Sequence, residues 1–222
     1  MPVAHHKLER FAELETFSNS YHLPYKEAFN NSFQLKGKWN NNCFKNNNPI
    51  VLELGCGKGE YTVSLAEREK TVNFIGVDIK GNRIWRGAKT ALEAKLSNVA
   101  FLRSRIDYID KGFGPNEVSE IWITFPDPQK ERPRKRLTHP LFLDRYKNIL
   151  KPGGLIHLKT DSLLLHQFTL TVIKELKLKL LEATVDLYSD GKEWGAVTGV
   201  QTFYEKMYLQ KGCPITYLKF LM

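Results

Sequence analysis

From Ile50 onward, short apolar runs alternate with stretches of helical apolar spacing, and few folds tolerate that alternation. Residues 50–54 (IVLEL), 72–78, 99–103, 119–125 and 155–160 read as strands, the first of them running straight into glycines. Residues 60–69, 81–96, 141–150 and 162–176 lie between or after them and read as helices. Strand–helix alternation of this kind builds βαβ units, hence a largely parallel sheet covered on both faces. Two more strands are expected at 179–188 and 202–210 with no helix between them, so they should pair antiparallel. The expectation is a doubly wound, mostly parallel seven-stranded α/β sheet whose last strand is antiparallel. In such sheets a ligand sits outside the carboxyl ends of the strands.

The 222 residues suffice for one domain of this size, residues 49–222, behind an N-terminal extension of 1–48. The extension is irregular, with a short helix expected within 6–15 and an Asn-rich loop at 38–49. Lys and Arg outnumber Asp and Glu by 33 to 24, a net charge of +9. That excess is expected to serve a polyanionic partner as well as solubility. Cys43, Cys56 and Cys213 lack the paired spacing of a zinc site or disulfide framework, so no metal is expected. The absence of a long apolar run argues against a membrane partner, and the polar N-terminus points to the cytoplasm. Composition leaves monomer and homodimer open.

The loop after the first strand, ELGCGKGE, carries Gly55, Gly57 and Gly59 at alternate positions and opens a helix. Glycine admits positive φ and close approach by a ligand. No Gly-x-x-x-x-Gly-Lys-Ser/Thr is present, which excludes a Walker A loop, and the G-x-G-x-G spacing differs from the G-x-G-x-x-G of nicotinamide binders. Glu53, two residues before the first glycine, would repel a pyrophosphate and suit a cationic amino-acid group. Asp78 ends the second strand, where a carboxylate can accept from ribose hydroxyls. A nucleoside bearing a cationic amino-acid tail is S-adenosyl-L-methionine, so the pattern favours a methyltransferase over a dehydrogenase. A tight turn with nothing bound is the plainer alternative.

The fourth strand ends on Pro126-Asp127-Pro128, and Lys130, Arg132, Arg134, Lys135 and Arg136 follow within eight residues. Asp127 could be an ordinary turn residue. Its place matters, because the fourth strand of a doubly wound sheet lies beside the first, and flanking prolines restrict how the carboxylate can point. Five cations against one acid, Glu131, with two prolines that oppose a helix, suit a clamp on a phosphate backbone better than a merely solvated loop.

These motifs are similar to those of the bacterial tRNA (guanine-N7-)-methyltransferases, a class I S-adenosylmethionine-dependent family with a Rossmann-like sheet. The resemblance runs from about Ile50 to the C-terminus. It rests on Glu53–Gly59, on Phe125-Pro126-Asp127-Pro128 with its basic tail, on Lys159-Thr160-Asp161 and on Thr202-Phe203-Tyr204-Glu205. It implies methyl transfer to N7 of a variable-loop guanine in tRNA. It also implies that Glu53 and Asp78 hold the cofactor, that Asp127 sits at the reacting base beside the cofactor, and that Lys130, Asp161, Thr202, Tyr204 and Glu205 contact the substrate. A third cofactor contact falls on Ser104 or Arg105, where the family has an acid or amide. Gln129 stands where the family usually has Trp, and Pro133 stands near its His. The competing readings are transfer to another RNA base or a small molecule, a nicotinamide dehydrogenase, and a tRNA-binding module without activity. His157 and Trp122 read as core residues, and Trp194 and Tyr204 as either core or base-stacking. Asp161 has a second reading, as a helix N-cap.

Overall fold

The structure, a computed structural model, describes residues 3–222. An eight-stranded sheet runs in the order β1-β4-β3-β2-β5-β6-β8-β7. Its strands are β1 (Ser20–His22), β2 (Ile50–Leu54), β3 (Asn73–Asp78), β4 (Val99–Arg103), β5 (Val118–Thr124), β6 (Leu150–Thr160), β7 (Leu180–Thr184) and β8 (Thr216–Leu221). The helices are α1 (Val3–Glu15), α2 (Tyr25–Asn30), α3 (Glu60–Arg68), α4 (Gly81–Glu93), α5 (Ile109–Gly112), α6 (Pro140–Lys147), α7 (Leu163–Glu175), α8 (Ala196–Gly199) and α9 (Phe203–Gln210). The pairs from β1 across to β6 are parallel, while β8 runs antiparallel between β6 and β7.

The central strands are mostly apolar because both faces of the sheet are covered, and Glu53 on β2 is an exception. One face packs Ile50, Leu52, Ile121 and Ile123 against Trp39, Phe142, Leu143 and Tyr146. The other packs Val51, Phe74 and Phe101 against Tyr61, Leu65, Ile84 and Ala88, which come from α3 and α4. β2 lies between β3 and β5, so the glycine loop and the Pro-Asp-Pro segment leave the sheet side by side, as the sequence predicts.

Three of the differences from expectation bear on the sheet and the site. The first is an eighth strand. Ser20–His22 extends the sheet alongside β4, and three residues are too short for any apolar period to show. The second is the segment 202–210, expected as a strand, which is the helix α9. Its Thr202 hydroxyl accepts the Glu205 N–H at 3.3 Å. Thr-x-x-Glu is a helix-start box, and the cap outweighs the strand-like alternation that follows it. The closing antiparallel strand is therefore β8. The third is the Asn-rich stretch, which contains a helical turn, Trp39–Phe44. Asn40 and Asn46 accept from the side chain of buried Asn73 at 2.9 and 2.7 Å, closing the sheet at its amino end. Trp39 is fully buried, and its indole donates to the Gly112 carbonyl at 2.9 Å.

Candidate functional site

Four chain segments meet where β2, β5 and β6 end. They enclose a cavity of about 420 Å³ whose wall includes Glu53, Gly55, Gly57, Thr124, Asp127, Asp161 and Tyr204.

At one end stands Glu53, only 5% exposed. Its carboxylate accepts from Thr124 Oγ1 at 2.6 Å, from the Thr62 N–H at 3.0 Å and from the Thr62 hydroxyl. Every one of these donors is neutral. Burial pushes its pKa up to about 7, against the pull of those hydrogen bonds. The glycine loop folds over it because Gly55, Gly57 and Gly59 all have positive φ. The Gly55 and Cys56 N–H groups donate to the Val77 carbonyl at 2.8 and 3.1 Å, and the Gly57 N–H donates to Asp78 Oδ2 at 3.0 Å. The glycines then divide by task. Gly57 has no atom within 4 Å of where a Cβ would sit, so its missing side chain leaves room in the cavity. A Cβ on Gly59 would lie 2.6 Å from the Phe101 ring, so that glycine permits packing and does not line the cavity.

Asp78 is buried at the end of β3, and its second carboxylate oxygen takes the Lys80 N–H at 2.8 Å. Ser104 lies next to it, with its N–H on the Asp78 carbonyl at 3.0 Å. Neither residue lines the cavity, and the Ser104 hydroxyl donates to the Arg105 carbonyl at 3.1 Å. The two therefore mark ground on the β4 side, beyond the cavity wall.

At the other end Asp127 is exposed. Its Oδ1 accepts the Gln129 N–H at 2.9 Å. Phe125 and Gln129, which bracket Pro-Asp-Pro, both sit at φ 46°, a region that bulky side chains avoid. The strain is held on the sheet side by the Phe125 N–H, which donates to the Lys159 carbonyl at 2.8 Å. Such backbone outliers concentrate where geometry serves a site.

The basic segment splits in two. Lys130, Arg132, Arg134 and Lys135 are exposed. Arg136 is buried: its Nε donates to the Pro128 carbonyl at 3.0 Å, its guanidinium donates to the Lys130 carbonyl at 3.4 Å, and it stacks 4.5 Å over Phe168. It is a pin that shapes the loop, which corrects the expectation that it meets phosphate.

Asp161 faces the cavity, and the N-cap of α7 is Ser162, whose Oγ accepts the Leu165 N–H at 3.2 Å. Glu205 also needs correction as a surface contact. It has no exposure, is not part of the cavity wall and pairs with fully buried Lys159 at 2.6 Å. Tyr188 donates its hydroxyl to the same Glu205 oxygen at 2.6 Å, and Lys159 donates to the Val197 carbonyl at 2.6 Å. Burial pulls the Lys159 ammonium down and Glu205 opposes that. This cluster fastens α9 to β6, and Thr202 contributes through its cap. Tyr204, 48% exposed, and Phe203, 59% exposed, then project at the cavity mouth. His157 and Trp122 stack on each other at 4.0 Å in the core. Trp194 is buried edge-on against Tyr217.

Sequence reasoning missed Lys58, Glu60, Arg83, Thr124 and Tyr208, which also line the cavity. Thr124 had a readable position, being the last residue of the strand paired with β2. Lys58 and Arg83 carried no signal beyond their charge.

A family described as "Putative methyltransferase" matches residues 47–218. The tRNA (guanine-N(7)-)-methyltransferase of Christiangramia forsetii is 56% identical, over 96% of this chain and 96% of its own length. The protein of the same name from Bacteroides fragilis is 48% identical, over 97% of this chain and 85% of its own. Among solved structures, a SAM dependent methyltransferase from Aquifex aeolicus superposes with a TM-score of 0.55 at 16% identity. It covers 100% of this chain and 98% of its own, and at that identity the likeness concerns the fold.

Proposed function

The chain belongs to the tRNA (guanine-N(7)-)-methyltransferase family, whose methyl donor is S-adenosyl-L-methionine, and from that premise we propose how its own residues divide the work of methylating a guanine N7 in tRNA. The observation that carries the reading is Glu53, a buried carboxylate held by neutral donors alone, in the wall of a cavity it shares with Asp127.

The residues fit the donor. A cationic ammonium beside Glu53 would offset the burial that pushes its pKa up to about 7. Gly57 leaves open the space that a side chain would fill. Both Asp78 oxygens hold one backbone N–H each and keep lone pairs for ribose hydroxyls. Ser104 supports Asp78 through its backbone. When bound, the donor supplies a methyl group already activated by its sulfonium.

Guanine N7 has a lone pair and no proton at neutral pH, so no residue is needed as a general base. The protein's task is to place and orient the base, and proximity of this kind can supply about 7–11 kcal/mol. Asp127 has one oxygen in its own turn and the other free of hydrogen bonds among the described residues. It orients the guanine edge and offsets the positive charge that grows on the purine. Tyr204 supplies a ring at the mouth on which a base can stack, and Asp161 offers a second acceptor. Lys130, Arg132, Arg134 and Lys135 take backbone phosphates. Glu205 and Thr202 act at one remove, by fixing α9. An enzyme acting on tRNA works where tRNA is, and we place this one in the cytoplasm.

The test is labelled methyl transfer to unmodified tRNA followed by nucleoside analysis. Label in 7-methylguanosine is the expected result. Label in another nucleoside would replace the acceptor, and no transfer by folded protein would leave a binding module.

A further inference from the structure

The cavity does not end at the glycine loop. Lys58, Glu60 and Arg83 line both it and a second, larger hollow of about 780 Å³ between α1, α3 and α4. Arg10, Trp85 and Arg86 line this groove alone. Four cations, Arg10, Lys58, Arg83 and Arg86, face two acids, Glu60 and Glu67. Glu60 is occupied, its carboxylate accepting the Phe203 N–H at 2.7 Å. Among the described residues none of the four cations forms an ion pair. The groove therefore carries an excess of positive charge that its own acids do not pair, and such an excess favours an anionic ligand.

The groove is also built stiffly. The Arg10 guanidinium lies 4.7 Å over the Trp85 ring. Trp85 is fixed in turn, because its indole N–H donates to Glu13 Oε2 at 2.7 Å, while the other Glu13 oxygen holds Lys89 at 2.8 Å. α1 is thereby tied to α4, and Arg10 is held in place before any ligand arrives. A guanidinium stacked on an aromatic ring loses little further freedom when it binds phosphate.

A nucleotide whose base enters a cavity has polymer running away on both sides. The exposed cations after β5 flank one side of the cavity, and this groove, reached past the first turns of α3 and α4, flanks the other. We propose that the groove seats the sugar–phosphate backbone of the tRNA strand on the far side of the target base, with Arg10 and Arg86 on its phosphates. The N-terminal helix is then part of the substrate surface. The proposal rests on the function given above.

The experiment compares the full-length protein with R10E/R86E and with K147E/K174E. The second pair makes the same change in charge at exposed positions in α6 and α7, on the opposite face of the sheet. The readouts are steady-state methylation of unmodified tRNA from 50 to 200 mM salt and calorimetric cofactor affinity. R10E/R86E is expected to raise KM for tRNA about 10–100-fold and to reduce the salt slope by about 1.4–1.8, two phosphate contacts' worth. Saturating kcat and cofactor affinity should stay within about twofold, since neither arginine reaches the cavity. R10Q/R86Q covers the case in which reversal harms folding, and it should show the same slope change with a smaller rise in KM. A wild-type enzyme that methylates tRNA, beside groove variants whose KM and slope match K147E/K174E, overturns the groove. A wild-type protein that leaves tRNA unmethylated overturns the function instead.

Discussion

The two ends of the cavity are built on opposite plans. At the Glu53 end the carboxylate and its hydroxyl donors are buried and fixed, under a glycine loop pinned to β3 by backbone hydrogen bonds. At the Asp127 end the acid is exposed on a strained turn and followed by solvated cations. The first plan suits a small ligand that must find its site ready. The second suits a large ligand, which itself excludes water when it lands and so strengthens the electrostatics around Asp127 only at that moment. The fully buried Lys159–Glu205 pair fastens α9, which carries Tyr204 at the cavity mouth, to β6.

That foundation should give the largest effect. Replacing Lys159 with Met leaves Glu205 buried without its cation and is expected to cost about 3–5 kcal/mol of stability. The double variant K159M/E205L should recover much of this, because well-packed apolar residues often replace a buried pair without loss. Chemical denaturation of the three proteins decides it. A single variant as stable as wild type would mean the pair does not hold α9.

Asp127→Asn comes next. It keeps the turn, since an amide oxygen can still accept the Gln129 N–H, but removes the charge. Single-turnover methylation should slow about 10²–10³-fold, the loss seen for one well-placed electrostatic contact. Cofactor affinity should hardly change. An equal loss in cofactor affinity would erase the contrast between the two ends.

The sequence made one end far more legible than the other. Glu53, the glycines and Asp78 lie within one strand–loop–helix unit and the strand after it, so local spacing places them. The position of Asp127 followed from the neighbour relation of β2 and β5. What stayed hidden depends on contacts across long sequence separations. Arg136 looks like its four basic neighbours, and only its burial against Phe168 removes it from the clamp. Glu205 is 46 residues from Lys159, and no local pattern announces that they pair. The helix at 203–210 was readable through its Thr-x-x-Glu start, but the apolar alternation masked it. Ser20–His22 is too brief for any pattern.

Glu53 supplies a pH test of the buried end. Its folded pKa is raised to about 7, so the fold holds a proton that the unfolded chain has lost above its ordinary carboxylate range. The contribution to stability is full below that range and is lost as pH rises through about 7. Glu53→Gln should therefore stabilise the cofactor-free protein at pH 8 by up to about 3 kcal/mol and flatten this part of its pH–stability curve. It should also weaken cofactor binding, and native binding should tighten as pH rises toward 8. A variant no more stable at pH 8 would show that neutral donors already satisfy the ionised carboxylate.

The smallest expected effect separates neighbours in the basic segment. Lys135 is exposed in the turn after β5, whereas Arg136 is buried with two backbone carbonyls on its guanidinium. Lys135→Ala removes one phosphate contact, so the slope of log affinity for tRNA against log salt should fall by about 0.7–0.9. Between 50 and 200 mM salt that is only about a threefold change in affinity, and the melting temperature should not move. Arg136→Ala should do the reverse in kind. The Pro128 and Lys130 carbonyls lose their donor and Phe168 loses its cover, so stability falls, and tRNA affinity drops only as far as the loop loses shape. Raising the tRNA concentration would restore the rate of Lys135→Ala, while cooling would restore that of Arg136→Ala. If the two variants share one salt slope and one melting temperature, burial does not divide the segment, and the five cations act as a single solvated cluster.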